Sequence, residues 1–178
     1  GISDMNDFCS MREMLNGDFE YCGLGMWSTN GNAELHEENG NHYGYISDFE
    51  NYQSEIYEGL WLNSGEMYTF KADLCTSGVE CEMFIRNLDT GEIISSKAFS
   101  NTSWETHSIV AKIEKDANYQ LGIRSVKSDS GWAKIDNASV DTPYSDLTYY
   151  DVSLSNSYSL GYNEASSFVE GFNILPSD

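Results

Sequence analysis

The chain has 178 residues, 40% of them hydrophobic, which is enough for one domain with a core and an appendage. Only 9 Lys+Arg stand against 29 Asp+Glu, a formal net charge of -20. That charge argues against nucleic acid, anionic membranes and, unless a cation bridges the contact, acidic polysaccharides. No apolar run is long enough to insert into a membrane as a helix.

Taken in chain order, short β-strands with polar turns dominate. The first is expected at Met14 to Glu20. Ala33 to Glu37, His42 to Ser47 and Gln53 to Trp61 follow. Met67 to Leu74 alternates clearly, with Tyr68, Phe70, Ala72 and Leu74 on one face and Thr69, Lys71 and Asp73 on the other. Next come Val79 to Arg86, a tight turn at Asn87–Gly91, and Glu92 to Phe99. Trp104 to Ile113, Tyr119 to Val126 and Trp132 to Val140 complete the series. About ten strands at this spacing predict an all-β fold, an antiparallel two-sheet β-sandwich of the jelly-roll kind.

Pro143 follows the last core strand and is expected to close the sandwich, giving a domain over 1–143. Residues 144–178 read as an extension or linker docking on the sandwich. Thr148 to Leu154 is a possible strand there, and Asn163 to Val169 a possible helix with Asn163 as N-cap. The extension's aromatics (Tyr149, Tyr150, Tyr158, Tyr162, Phe168 and Phe172) are the expected docking groups.

The four cysteines lack zinc-finger spacing. Cys75 and Cys81 flank Thr76–Glu80, which reads as a hairpin turn, while Cys9 and Cys22 flank the first expected strand. Two local disulfides, Cys75–Cys81 and Cys9–Cys22, and four buried thiols are both open readings.

Four pieces carry a family resemblance. They are Leu15-Asn16-Gly17-Asp18-Phe19-Glu20 with Trp27; Gly59-Leu60-Trp61-Leu62 leading through Gly65 to Tyr68 and Phe70; Trp104 before an alternating strand; and Ile135-Asp136-Asn137. Over residues 12–142 this resembles the calcium-containing carbohydrate-binding modules of the family 4, 9 and 22 group. The resemblance implies first and last strands that meet at one edge, framework roles for Trp27 and Trp104, and a structural calcium held by Asp18, Glu20 and Asp136. A carbonyl near Gly40 or Asn41 would complete the set. Calcium takes hard oxygen ligands and would relieve repulsion between such carboxylates.

A sugar site needs exposed flat rings and polar groups. Tyr43, Tyr45, Tyr52, Tyr57, Trp61 and Trp132 are the aromatics least explained by framework. Tyr43 and Tyr45 share a strand face. Gln53 beside Tyr52, and Phe84 and Arg86 with Glu82, Gln120 and Arg124, are expected to line one concave surface. Ordinary packing is the competing reading for each ring, and a carboxylate pair is the competing reading for each arginine. The implied ligand is a polysaccharide or oligosaccharide of the β-glucan or xylan type, bound in a groove or at the rim.

Catalysis is not expected. Glu37–Glu38 and Glu55/Glu58 are acidic pairs without a surrounding signature, and His36, His42 and His107 form no triad motif. The resemblance implies a secreted, extracellular module beside other domains of a larger chain, with no nucleic acid and no membrane insertion. The alternative is an adhesive or structural domain of a cell-surface protein that binds another protein.

Overall fold

In the computed structural model, the structure describes residues 13–141. The chain divides into two units, Gly1–Asp141 and Thr142–Asp178. The expected strand at 148–154, the helix at 163–169, Pro143, the extension's aromatics and Cys9 lie outside the described residues.

Ten strands are present: β1 (Ser28–Asn30), β2 (Asn32–Glu38), β3 (Asn41–Ser47), β4 (Glu55–Leu62), β5 (Met67–Thr76), β6 (Cys81–Asn87), β7 (Ile93–Phe99), β8 (Glu105–Lys112), β9 (Ala117–Ser125) and β10 (Trp132–Asp141). They form two five-stranded sheets. The first has the order β1-β4-β9-β6-β7 and the second β2-β3-β10-β5-β8. Every pairing is antiparallel. The expected β-sandwich is therefore the fold.

Period-two alternation explains the layering. Ile56, Leu60, Leu62, Met83, Ile85, Leu121 and Ile123 point inward from the first sheet. Ile46, Tyr68, Phe70, Ala72, Leu74, Ile109 and Ile135 answer from the second. Each large side chain here stabilises the fold by about 1.5–3 kcal/mol relative to exposure. Trp27 joins this core, as expected of a framework residue.

Two turns are local hairpins. Asn39 (φ 55) and Gly40 (φ 83) both adopt left-handed backbone, the pattern of a two-residue hairpin turn that matches strand twist. At the β6–β7 turn, the Asn87 carboxamide oxygen accepts from the Asp89 and Thr90 N–H groups, as the turn reading anticipated.

Three expectations need correction. Residues 14–20 are a folded turn segment and not a strand. Asn16 (φ 54) and Phe19 (φ 59) bend the backbone. The Asn16 carboxamide donates to the Gly23 and Gly25 carbonyls and accepts from Tyr21 N–H. These local bonds compete with a ladder. Asn-Gly-Asp is itself a turn signal that outweighs the flanking apolar residues.

Second, the closing strand is not at an edge: β10 lies between β3 and β5. The ends nevertheless meet. Ala138 N–H donates to the Gly17 carbonyl at 2.9 Å, at the point where β10 bulges between Asp136 and Ser139. A Cβ on Gly17 would collide with the Ala138 carbonyl, so only glycine permits that approach.

Third, Thr76–Glu80 is not a hairpin turn, because β5 and β6 belong to different sheets. Cys75 shares the outward side of the second sheet with its partner Lys134, whereas Cys81 points into the core. Both are buried free thiols, and Cys22 is an exposed one. Burial pushes the Cys81 thiol up to about 12, so it behaves as an inert small hydrophobe.

Candidate functional site

The ten residues singled out for sugar binding do not form one site. The structure distributes them over three places.

Five of them meet on the outer face of the first sheet: Tyr57 and Trp61 from β4, Phe84 and Arg86 from β6, and Arg124 from β9. The register brings them together, since Tyr57 and Phe84 both pair with Gly122, and Gly59 and Arg86 both pair with Gln120. Phe84 is fully buried although it points outward. The Arg86 guanidinium lies 4.6 Å from its ring centroid and that of Arg124 lies 5.9 Å away, so the arginines roof the ring.

Each arginine is held by a carboxylate, which is the competing reading stated from sequence. Arg86 makes a two-pronged pair with Glu55 at 2.8 and 3.0 Å. Its Nε donates to Gln120 at 2.7 Å. Asn30 of β1 donates to the same Glu55 at 2.9 Å. Burial raises the Glu55 carboxyl, but the Arg86 and Asn30 bonds outweigh it and hold the group below the usual range. Arg124 pairs with Glu82 at 2.7–2.8 Å. The guanidiniums are thus neutralised in place.

Beside this network, β4 presents Tyr57, Gly59 and Trp61 in alternate positions. Gly59 is exposed, and a Cβ added there would meet only the Tyr119 carbonyl oxygen, at 3.9 Å. Trp61 is 43% exposed and its indole N–H donates to Asn63 at 3.2 Å. The Cα positions of Tyr57 and Trp61 stand about 13 Å apart along the strand, given its rise per residue.

Tyr43, Tyr45 and Trp132 lie instead on the outer face of the second sheet. His36 of β2 stacks on Tyr45 with centroids 3.8 Å apart, and Tyr45 stacks on Trp132 at 6.0 Å. Lys134 sits over both Tyr43 and Trp132. Trp104 meets Tyr43 edge-on at 5.6 Å. Trp104 is 40% exposed, which corrects its expected burial in the core; it sits just before β8 on this outer side. Tyr52 and Gln53 line a third place, a polar rim cleft of about 320 Å³ with Asn51, Ser125 and Lys127. Tyr52 is 53% exposed there.

The three carboxylates expected to hold calcium each have partners within the protein. Glu20 accepts from the His42 backbone N–H at 2.7 Å and hydrogen-bonds its Nδ1 at 2.8 Å. These bonds lower the Glu20 carboxyl and raise the His42 imidazole. Asp18 accepts from Glu20 N–H. Asp136 is buried and accepts from the Asn41 carboxamide and from Asn137 N–H. Burial pushes Asp136 up, and the charges of Asp73 and Glu20 add to that push against its two hydrogen bonds. Among the described residues, no three His, Cys, Asp or Glu side chains gather as a metal group.

The acidic pair on β4 is split by alternation. Glu55 faces outward with Tyr57, and Glu58 faces the core with Ile56 and Leu60. They cannot flank one substrate. Glu58 accepts from Leu15 N–H at 2.9 Å, and its other oxygen has no hydrogen-bond partner among the described residues. Burial pushes this carboxyl up to about 8, which favours its protonated form at neutral pH.

Sequence reasoning overlooked Asn30 and the role of Glu55, as well as His36, Lys134 and the partial exposure of Trp104. Alternation within 55–61 was the available signal for Glu55, because it puts that residue in phase with Tyr57 and Trp61.

With this geometry in place, likeness to solved structures defines the class of fold: it is the β-sandwich found in carbohydrate-binding modules. The family 61 module TmCBM61, solved with β-1,4-galactotriose, superposes with a TM-score of 0.59 at 16% identity, covering 74% of this chain and 99% of that one. The CBM22-1–GH10 part of xylanase 10B from Clostridium thermocellum, complexed with xylohexaose, gives 0.54 at 17% identity, covering 73% of this chain and 28% of that one. The same sandwich also occurs in a cyclase from Fischerella sp. TAU, with a TM-score of 0.58 at 11% identity, covering 72% of this chain and 95% of that one. No protein-family model matches the sequence, and no curated protein does. At these identities the likeness defines fold, and function rests on the site.

Proposed function

We propose that this chain is a non-catalytic carbohydrate-binding module that takes a neutral polysaccharide of the β-glucan or xylan type along the outer face of its first sheet. One observation carries the reading: Tyr57 and Trp61 flank the open Gly59 on β4, beside a fixed row of polar groups. Two rings at that spacing suit non-adjacent units of an extended chain, whose apolar faces stack while its hydroxyls meet Gln120 and Glu82. The arginines are already paired, so neither Arg86 nor Arg124 is a free cation for an acidic glycan. The separation of Glu55 from Glu58 supports binding without turnover, although the sandwich also occurs in an enzyme.

The module is proposed to work in a secreted chain beside a glycoside hydrolase domain. The xylanase supports this, because a comparable sandwich there accompanies a much larger chain. A structural calcium fits the donor chemistry at Glu20 and Asp136: both are hard oxygen donors, and Asp136 lies in the negative field of Asp73 and Glu20. A bound ion would tie the turn at 14–20 to β10. Glu20 would exchange its His42 bonds for the ion.

Affinity electrophoresis through soluble β-glucan, xylan and mannan tests the sugar reading. Retardation that Trp61→Ala weakens supports it, and free migration on every glycan overturns it. The rim is the second reading, favoured by the exposed Tyr52 over its cleft; retardation lost in Tyr52→Ala and kept in Trp61→Ala would select it. Chelation should lower the melting temperature by several degrees, and an unchanged value rejects the calcium.

A further inference from the structure

We infer that the outer face of the second sheet carries a separate subsite for a single sugar ring, with Trp104 as the stacking wall and Asp73, Asn137 and Asn41 as the hydroxyl-binding groups. The inference stands independently of the first-sheet reading, because the two faces lie on opposite sides of the sandwich.

Trp104, Asn41, Asp73, Asp136 and Asn137 line one cleft of about 210 Å³. That is below the 300–1,000 Å³ typical of drug-sized ligands, and it suits one ring better than a chain. Trp104 makes a T-shaped contact with Tyr43, with ring planes 77° apart, and remains 40% exposed. A tryptophan left this open contributes little to the core, and its flat surface is what the C–H face of a pyranose needs.

The polar groups are fixed in advance. Asp136 forms the floor: it is 4% exposed, and each of its oxygens accepts one bond, from the Asn41 carboxamide and from Asn137 N–H. Asp73 accepts from Thr106 at 2.5 Å and from the Asn137 carboxamide at 2.9 Å, one bond on each oxygen. A carboxylate has about four lone-pair sites, so each oxygen retains capacity for a hydroxyl donor. The bulge in β10 sets Asn137 at φ 50, out of strand alternation, and so turns it toward Asp73. A ring with free hydroxyls matches this mix of acceptors, amides and one aromatic wall. A terminal or branch sugar supplies such a ring.

The test uses the chain in solution, titrated separately with galactose, glucose, xylose and mannose, and observed by ¹H–¹⁵N NMR. At least one of these sugars should shift the Trp104 indole N–H and the Asn137 and Asn41 carboxamide signals. The response should persist in Trp61→Ala and weaken at least tenfold in both Trp104→Ala and Asp73→Asn. Asp73→Asn keeps the side chain's shape, so it decides the matter if Trp104→Ala is poorly folded. Silence of these signals toward all four sugars, or unchanged affinity in Asp73→Asn, overturns the inference. Polysaccharide retention with silent Trp104 signals overturns this inference alone. Monosaccharide binding at Trp104 without polysaccharide retention overturns the first-sheet reading alone.

Discussion

The two outer faces of the sandwich solve one problem differently. Each carries a buried aromatic on the side away from the core: Phe84 on the first sheet and Tyr43 on the second. Phe84 is roofed by guanidiniums that carboxylates lock in place. Tyr43 is covered by another ring, Trp104, and by the ammonium of Lys134. The first solution needs every partner, because a desolvated charge without its counterion is costly. The second tolerates loss, because ring contacts and a cation over rings are individually weak. One face is therefore held together by mutually dependent charge pairs. The other is assembled from separable contacts around a small cleft.

The sharpest way to break this comparison is Arg86→Ala. It leaves Glu55 buried beside Asn30 without its paired guanidinium, and should cost about 3–5 kcal/mol in urea unfolding. A cost near zero would show that the roof is not held by charge.

Glu58 sharpens the contrast from the same strand, as a buried carboxyl without a cation among the described residues. Its folded pKa is raised from 4.5 to about 8. A raised acid contributes stability that is fully present below the unfolded value and lost as pH rises through the folded one. The chain should therefore lose stability, on the order of a few kcal/mol, between about pH 4.5 and pH 8. Glu58→Gln should flatten that slope and melt higher than the parent at pH 8. Glu55 acts with the opposite sign. Its folded pKa is lowered, so its contribution is present above its ordinary value and lost as pH falls through the folded one. A parent slope that Glu58→Gln leaves unchanged would show that Glu58 is not the titrating group.

The smallest effect belongs to the second face. Lys134→Ala removes a cation from over Tyr43 and Trp132 and should cost below about 1 kcal/mol. Equal costs for Lys134→Ala and Arg86→Ala would erase the distinction between the faces.

The frame was legible because alternation and turn chemistry are local. Tyr68, Phe70, Ala72 and Leu74 read as one buried face, and they are one. Sheet membership was not legible. Cys75 and Cys81 read as ends of a hairpin, yet the chain crosses between sheets there, and nothing in Thr76–Glu80 encodes which sheet the next strand joins. The same limit dispersed the site. Tyr43, Tyr45 and Trp132 have the composition of a sugar platform just as Tyr57 and Trp61 do, but β3 and β10 belong to the other sheet. The turn at Asn16-Gly17-Asp18 was legible in principle, and the apolar residues around it obscured the signal. The approach of Gly17 to Ala138 was not, because it depends on a bulge about 120 residues away in β10.

The central claim is that Trp61 and its neighbours on the first sheet bind a neutral glycan chain. Affinity electrophoresis of the parent, Trp61→Ala and Trp104→Ala in the same soluble β-glucan and xylan gels tests it most directly. The account predicts a retarded parent, at least a tenfold weaker Trp61→Ala, a loss of about 1.4 kcal/mol or more, and chain binding in Trp104→Ala close to the parent. Equal retardation of the parent and Trp61→Ala, or no retardation of either, would contradict it.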